Sequence, residues 1–187
     1  MKNRNVKLSL FVLAFLVFFA SCTKAPKFIN PELKTFFDLK GYFDGEFQRL
    51  HSKGKAKKIV MAGGKQEVMI MDSIDFKREL GVFSGSDINR PAWSDKYVVD
   101  SSFNEQKELV QLQFNAIDNK LKTRKILVDF EKAAVTKVFI ENITSSSIAT
   151  SSQVLTYEPN LGYAIESHQK VAMTDDQHFK VTVQFLK

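Results

Sequence analysis

The sequence predicts an α+β domain. An N-terminal helix, a hairpin and a second helix precede an antiparallel meander, which forms a curved or half-barrel sheet packed on the helices. Three observations carry this prediction. Apolar residues recur at helical spacing in two early segments, they follow a strand-like pattern in seven segments after residue 95, and short polar links join those segments.

The first helix is predicted over 31–50. Asn30-Pro31-Glu32 supplies an N-cap, a first-turn proline and an acid near the positive end of the dipole. Leu33, Phe36, Phe37, Phe43, Phe47 and Leu50 form its apolar stripe. Gly41 and Gly45 each cost about 1 kcal/mol against alanine inside a helix, which implies a close approach to the sheet or a kink. The hairpin pairs Ile59–Ala62 with Glu67–Met71 around Gly63-Gly64, which can adopt the positive φ of a tight turn. Asp72 or Ser73 then caps a second helix bearing Phe76, Leu80 and Phe83. Asp72, Asp75 and Glu79 complement its dipole, with a paired acid and base as the alternative.

Strands are predicted at 96–103, 108–117, 121–130, 135–144, 148–157, 163–173 and 179–186. The links 118–120, 131–134, 158–162 and 174–178 are too short for parallel returns, which need a dozen residues or more, so the strands form a meander. A three-residue loop at 118–120 sets Phe114 opposite Arg124, Leu112 opposite Ile126 and Val110 opposite Val128. In the next hairpin Phe130 faces Val135, Ile126 faces Phe139 and Arg124 faces Glu141. The last strand carries Phe179, Val181, Val183 and Phe185 on one face.

These apolar positions, with Phe36, Phe43 and Phe47 from the helix, are the candidate core or lining of an apolar ligand site: Leu112, Phe114, Ile126, Val128, Phe130, Phe139, Phe179, Val181, Val183 and Phe185. Leu127, Val138 and Ile140 are expected on the opposite face, leaving that face partly apolar. The hydroxyl-rich run Thr144–Ser152 reads as a solvated strand or a polar rim. Trp93, near Arg90 and Pro91, reads as a plug at the end of the core or as a recognition residue.

The N-terminus has a distinct composition. Lys2, Arg4 and Lys7 stand without an acid in the first seven residues, and Leu8–Ala20 holds one polar residue, Ser9. This is the order of a secretory signal. A spanning helix needs about 20 apolar residues, and Thr23, Lys24 and Lys27 follow too soon. Phe19-Ala20-Ser21-Cys22 resembles the bacterial lipoprotein box, in which an apolar residue, most often Leu, and two small residues precede a cysteine. The resemblance implies cleavage before Cys22, lipidation of its thiol and a stable membrane anchor, since each buried methylene contributes about 0.8 kcal/mol. It divides the chain into a signal at 1–21, a lipidated tether at 22–29 and one domain at 30–187. Thr23 after the cysteine implies delivery to the outer membrane, with the domain in the periplasm.

Removing 1–21 takes away three basic residues and no acid, so the net charge falls from +6 to about +3. That mild excess argues against nucleic acid as a partner. Cys22 is the only cysteine, so the domain has no disulfide. Neither Gly63-Gly64 nor Gly81–Gly85 has the lysine and hydroxyl of a phosphate loop, and no serine lies in a nucleophile elbow. A turn at Asp175-Asp176 would put His168 near Gln184 and His178 at the turn, about 20 Å apart. No metal site, catalytic group or cofactor is therefore expected.

The order of elements loosely resembles the outer-membrane lipoprotein carrier and receptor fold, an unclosed barrel around a helical lid that holds acyl chains. The likeness is architectural, and no functional residue follows from it. The leading expectation is a non-enzymatic envelope lipoprotein that binds an apolar or amphipathic ligand between sheet and helices. The alternative is an assembly or scaffold protein that docks another envelope protein through the apolar part of its outer face.

Overall fold

Asp38 opens the first helix, α1 (Leu39–His51), by accepting a hydrogen bond from the Gly41 N–H at 2.8 Å. This cap lies inside the span predicted from sequence, so Phe36 and Phe37 precede the helix rather than belong to it. Asn89 is the reason. Its carboxamide accepts from the Phe36 N–H and donates to the Phe37 carbonyl, each at 2.9 Å, which occupies backbone groups an earlier helix start would use. The structure is a computed structural model that describes residues 36–51 and 55–186. The proposed cap at Asn30-Pro31 lies outside the described residues, as does Cys22. All described residues fall within one compact unit, Leu33–Lys187.

The two helix glycines do not bring α1 close to the sheet. A Cβ on Gly41 would collide with the capping Asp38 carboxylate, and one on Gly45 would meet nothing within 4 Å among the described residues.

Strands β1 (Ala56–Ala62) and β2 (Lys65–Met71) form the predicted hairpin, with Gly63 and Gly64 both at positive φ. The second helix, α2 (Phe76–Ser84), is capped by Asp75, which accepts from the Arg78 N–H at 3.1 Å. The cap therefore lies past Asp72 and Ser73. Seven strands follow a short 3-10 turn: β3 (Tyr97–Phe103), β4 (Leu109–Ala116), β5 (Thr123–Glu131), β6 (Ala134–Ser145), β7 (Ala149–Glu158), β8 (Gly162–Val171) and β9 (Gln177–Phe185).

All nine strands join one open antiparallel sheet in the order β2-β1-β9-β8-β7-β6-β5-β4-β3. The last strand returns to pair with the early hairpin, while β2 and β3 are the edges of the sheet among the described residues. Both helices cover the inner face. Leu39, Phe43 and Leu50 from α1 and Phe76, Leu80 and Phe83 from α2 are buried together with Phe114, Ile126, Val128, Val138, Ile140, Leu155, Tyr157 and Val183.

Register departs from expectation in two hairpins. Phe114 pairs with Ile126 and Leu112 with Val128, a slip of two residues that keeps every side chain on its expected face. The Asp118 carbonyl accepts from Leu121 and its carboxylate from Lys120, which builds a longer loop than three residues. Between β5 and β6, Phe130 pairs with Val135 as expected, but a bulge at Asp129/Phe130 shifts the pairing beyond it. Ile126 therefore pairs with Ile140, and Phe139 with Leu127. Because one inserted residue reverses the alternation, Val138 and Ile140 point into the core and Phe139 points away from it.

Candidate functional site

The space between sheet and helices is packed with side chains. Of the predicted lining residues, Phe36, Phe43, Phe114, Ile126, Val128, Val181 and Val183 are buried, and Phe47, Leu112, Phe130 and Phe185 pack against them. Phe43 meets Tyr157 at 5.1 Å and Phe83 at 4.9 Å between ring centroids, Phe36 meets Phe114 edge-on at 5.9 Å, and Phe76 meets Phe185 at 5.8 Å. These separations are those of rings in contact, which leaves no room for a chain between them. Phe179 lies on the same face but beyond the helices, and is 41 % exposed. Phe139 lies on the other face. Among the described residues, clefts of about 440, 190 and 300 Å³ open at the surface, lined by strand and loop residues without a helix residue.

Two ionic groups tie the helices to the sheet. Glu46 and Arg49 of α1 form a two-point pair at 2.9 and 2.6 Å, the Tyr157 hydroxyl donates to Glu46, and Arg49 donates to the Pro159 carbonyl at 2.5 Å. On α2, Glu79 accepts from Lys58 of β1 at 2.6 Å and from the Tyr163 hydroxyl of β8 at 2.8 Å. Glu79 lies in the first turn of α2, as its expected dipole role requires, and its side chain also spans to two strands. Burial, and then the neighbouring carboxylate, pushes the hydroxyls of Tyr157 and Tyr163 well above the usual tyrosine range. Burial does the same for Tyr42, and lifts Tyr97 to about 12. A carboxylate held by an ammonium or guanidinium on one side and a phenol on the other is a structural clamp. Trp93 packs against the core with Arg90 stacked 4.3 Å over its ring, in keeping with the plug.

The histidines differ most from expectation. His168 pairs directly with His178 across β8 and β9, because β8 ends at Val171 and the chain turns over Ala172–Asp176, with Met173 at positive φ. The turn is centred nearer the start of this segment than Asp175-Asp176, and the separation of about 20 Å disappears. Their rings stack at 4.1 Å, and both Nε2 atoms approach Glu166 Oε1, at 3.4 and 3.0 Å. Lys180 reaches the other carboxylate oxygen at 3.1 Å. Lys180, joined by the two imidazoles, holds the Glu166 carboxyl below the usual carboxylate range.

A second exposed feature is the edge formed by β2. Val68, Met69 and Ile70 are exposed, as is Met61 on β1 beside them. Alternation places Val68 and Ile70 on one face and Met69 and Met71 on the other. Among the described residues no strand lies against the outer side of β2, whose outward backbone N–H and C=O groups have no ladder partner there. The sequence carried this signal in Val68-Met69-Ile70-Met71, an apolar run without the period of 2 that a half-buried strand shows.

No family model matches this chain, and no curated protein or solved structure is significantly similar to it. Among the described residues, no helix is long and apolar enough to cross a membrane.

Proposed function

We propose that this chain is a non-enzymatic lipoprotein of the cell envelope, tethered through Cys22, that docks an extended apolar segment of another envelope protein by adding it as a strand beside β2. The observation that carries this reading is the open apolar edge of β2. Strand addition needs unpaired main-chain groups and flanking side chains that a partner can cover on alternate faces. β2 offers both, with Val68 and Ile70 on one side and Met69 on the other. Long apolar edges are usually blunted by charge, proline or a bulge. Here the charges, Lys65 and Glu67, sit at the turn end, which leaves the far half open.

The filled interior favours a partner over a lipid cargo, because a drug-sized or lipid ligand needs a cavity of about 300 Å³ or more lined by apolar groups. The expected outer-face patch of Leu127, Val138 and Ile140 is not the surface invoked, since the latter two are buried. The exposed apolar residues of the proposed docking surface lie along the β2 edge.

Photocrosslinking in intact cells tests this. A photoreactive residue at Ile70 is expected to give one discrete adduct with a second envelope protein, through an apolar segment of that protein. Met69→Pro placed beside the probe should abolish the adduct. An adduct with a second copy of this chain, with lipid alone, or an equal adduct from a probe at exposed Ile148 would overturn the reading. The anchor is tested separately: Cys22→Ser should release the protein from membranes or leave its precursor uncut.

A further inference from the structure

We infer that Glu166, His168 and His178 form a surface site for a late divalent transition-metal ion such as Zn²⁺, Ni²⁺ or Cu²⁺. The donor atoms, one from each residue, all lie within 4.8 Å of one another. Bonds of about 2.05 Å in a tetrahedral site put neighbouring donors about 3.3 Å apart. Glu166 Oε1 lies 3.0 Å from His178 Nε2 and 3.4 Å from His168 Nε2, so the carboxylate stands at that spacing from each imidazole.

The sheet pre-arranges this set. His168 and His178 are direct cross-strand partners, and Glu166 precedes His168 by two residues, so all three project from the outer face. Their rings are stacked 4.1 Å apart with planes 10° apart, so both must turn about their Cβ–Cγ bonds for the in-plane Nε2 lone pairs to converge on one ion. Two imidazoles and one carboxylate favour zinc, nickel or copper over magnesium or calcium, which prefer oxygen donors. The side chains are about half exposed at both histidines, so an ion can enter from solvent. Beside them a cleft of about 300 Å³, lined in part by Ser152 and Asp176, leaves room for water or an external ligand at the remaining positions.

Lys180 is the opposing group. Its ammonium bonds Glu166 Oε2 at 3.1 Å, leaving Oε1 for the ion while placing a competing positive charge beside the site. The inference is independent of the docking edge, which lies on another strand.

The test is a titration of the metal-stripped full chain with Zn²⁺ by calorimetry and with Co²⁺ by its visible d–d bands. One equivalent is expected to bind with tetrahedral or five-coordinate Co²⁺ spectra. His168→Ala and His178→Ala should each weaken binding by at least the roughly 10–100-fold that loss of an orienting partner costs. Lys180→Met should tighten it, because a cation that repels the metal ion is removed from the site. The surface position of these side chains keeps the variants folded, checked by unchanged circular dichroism. Superimposable titrations of the wild type and the His168→Ala/His178→Ala double variant would overturn the inference, as would octahedral Co²⁺ spectra identical in both.

Discussion

Strands β5 and β2 belong to one antiparallel sheet and carry similar apolar residues, yet they do opposite things with them. In β5, Ile126 and Val128 are 2 % and 0 % exposed beneath the helices, while in β2, Val68 and Ile70 are 50 % and 60 % exposed at a free edge. Burial of an apolar side chain stabilises by about 1.5–3 kcal/mol, so the β5 residues hold the fold. The β2 residues contribute little of this in the isolated chain, and their burial is available to a partner. The same side-chain chemistry thus serves stability at the centre and, under the proposal above, recognition at the edge, according to where the topology leaves a strand unpaired.

The centre can be broken outright. Phe43→Ala empties a site enclosed by Phe83 and Tyr157, and should lower stability by about 3–5 kcal/mol in chemical denaturation. The clamp beneath it is next. Glu79→Gln leaves the Lys58 ammonium without its partner, and since both side chains are mostly buried the cost should be about 2 kcal/mol, below the full penalty for a dry pair. Lys58→Met combined with Glu79→Leu should recover most of that loss, whereas additive losses would show that the pair is not coupled.

High pH probes the same centre without mutation. All four tyrosines have hydroxyls raised above their unfolded value near 10, with Tyr97 at about 12. The folded state therefore holds these protons more tightly than the unfolded chain. The stability they contribute is complete below about pH 10 and declines as pH rises toward 12 and beyond. Tyrosinate absorbance should appear together with loss of structure; a tyrosine that ionises near pH 10 in the intact fold would place a ring outside the core. The smallest effect on stability belongs to the edge. Ile70→Lys should change the unfolding free energy by no more than about 0.5 kcal/mol, while abolishing docking in cells. A loss comparable to that of Phe43→Ala would mean that β2 is buried in the isolated protein.

The strands were legible because period 2 and short links are local signals, and all seven meander strands fall within two residues of the spans read from sequence. Pairing was less legible. A two-residue slip between β4 and β5 preserves the faces, so Phe114 and Ile126 looked equally well placed in either register. The bulge at Asp129/Phe130 has no compositional mark, yet it alone exchanges Phe139 with Val138 and Ile140. The start of α1 depended on Asn89, distant in sequence, and the His168–His178 pairing on where the chain turns between Val171 and Gln177. Each miss traces to a long-range contact or to a single turn. The β2 edge was readable in principle from Val68–Met71, but an unbroken apolar run fits a strand buried on both faces as well as one exposed on both.

Hydrogen exchange compares edge and centre most directly, with the protein measured once in native envelope vesicles and once purified. Occupation of the edge predicts that segment 65–71 exchanges more slowly in the envelope, while segment 123–131, already covered by the helices, exchanges alike in both. Equal exchange of 65–71 in the two samples, or protection confined to β3, would contradict the proposal that β2 is where this protein meets its partner.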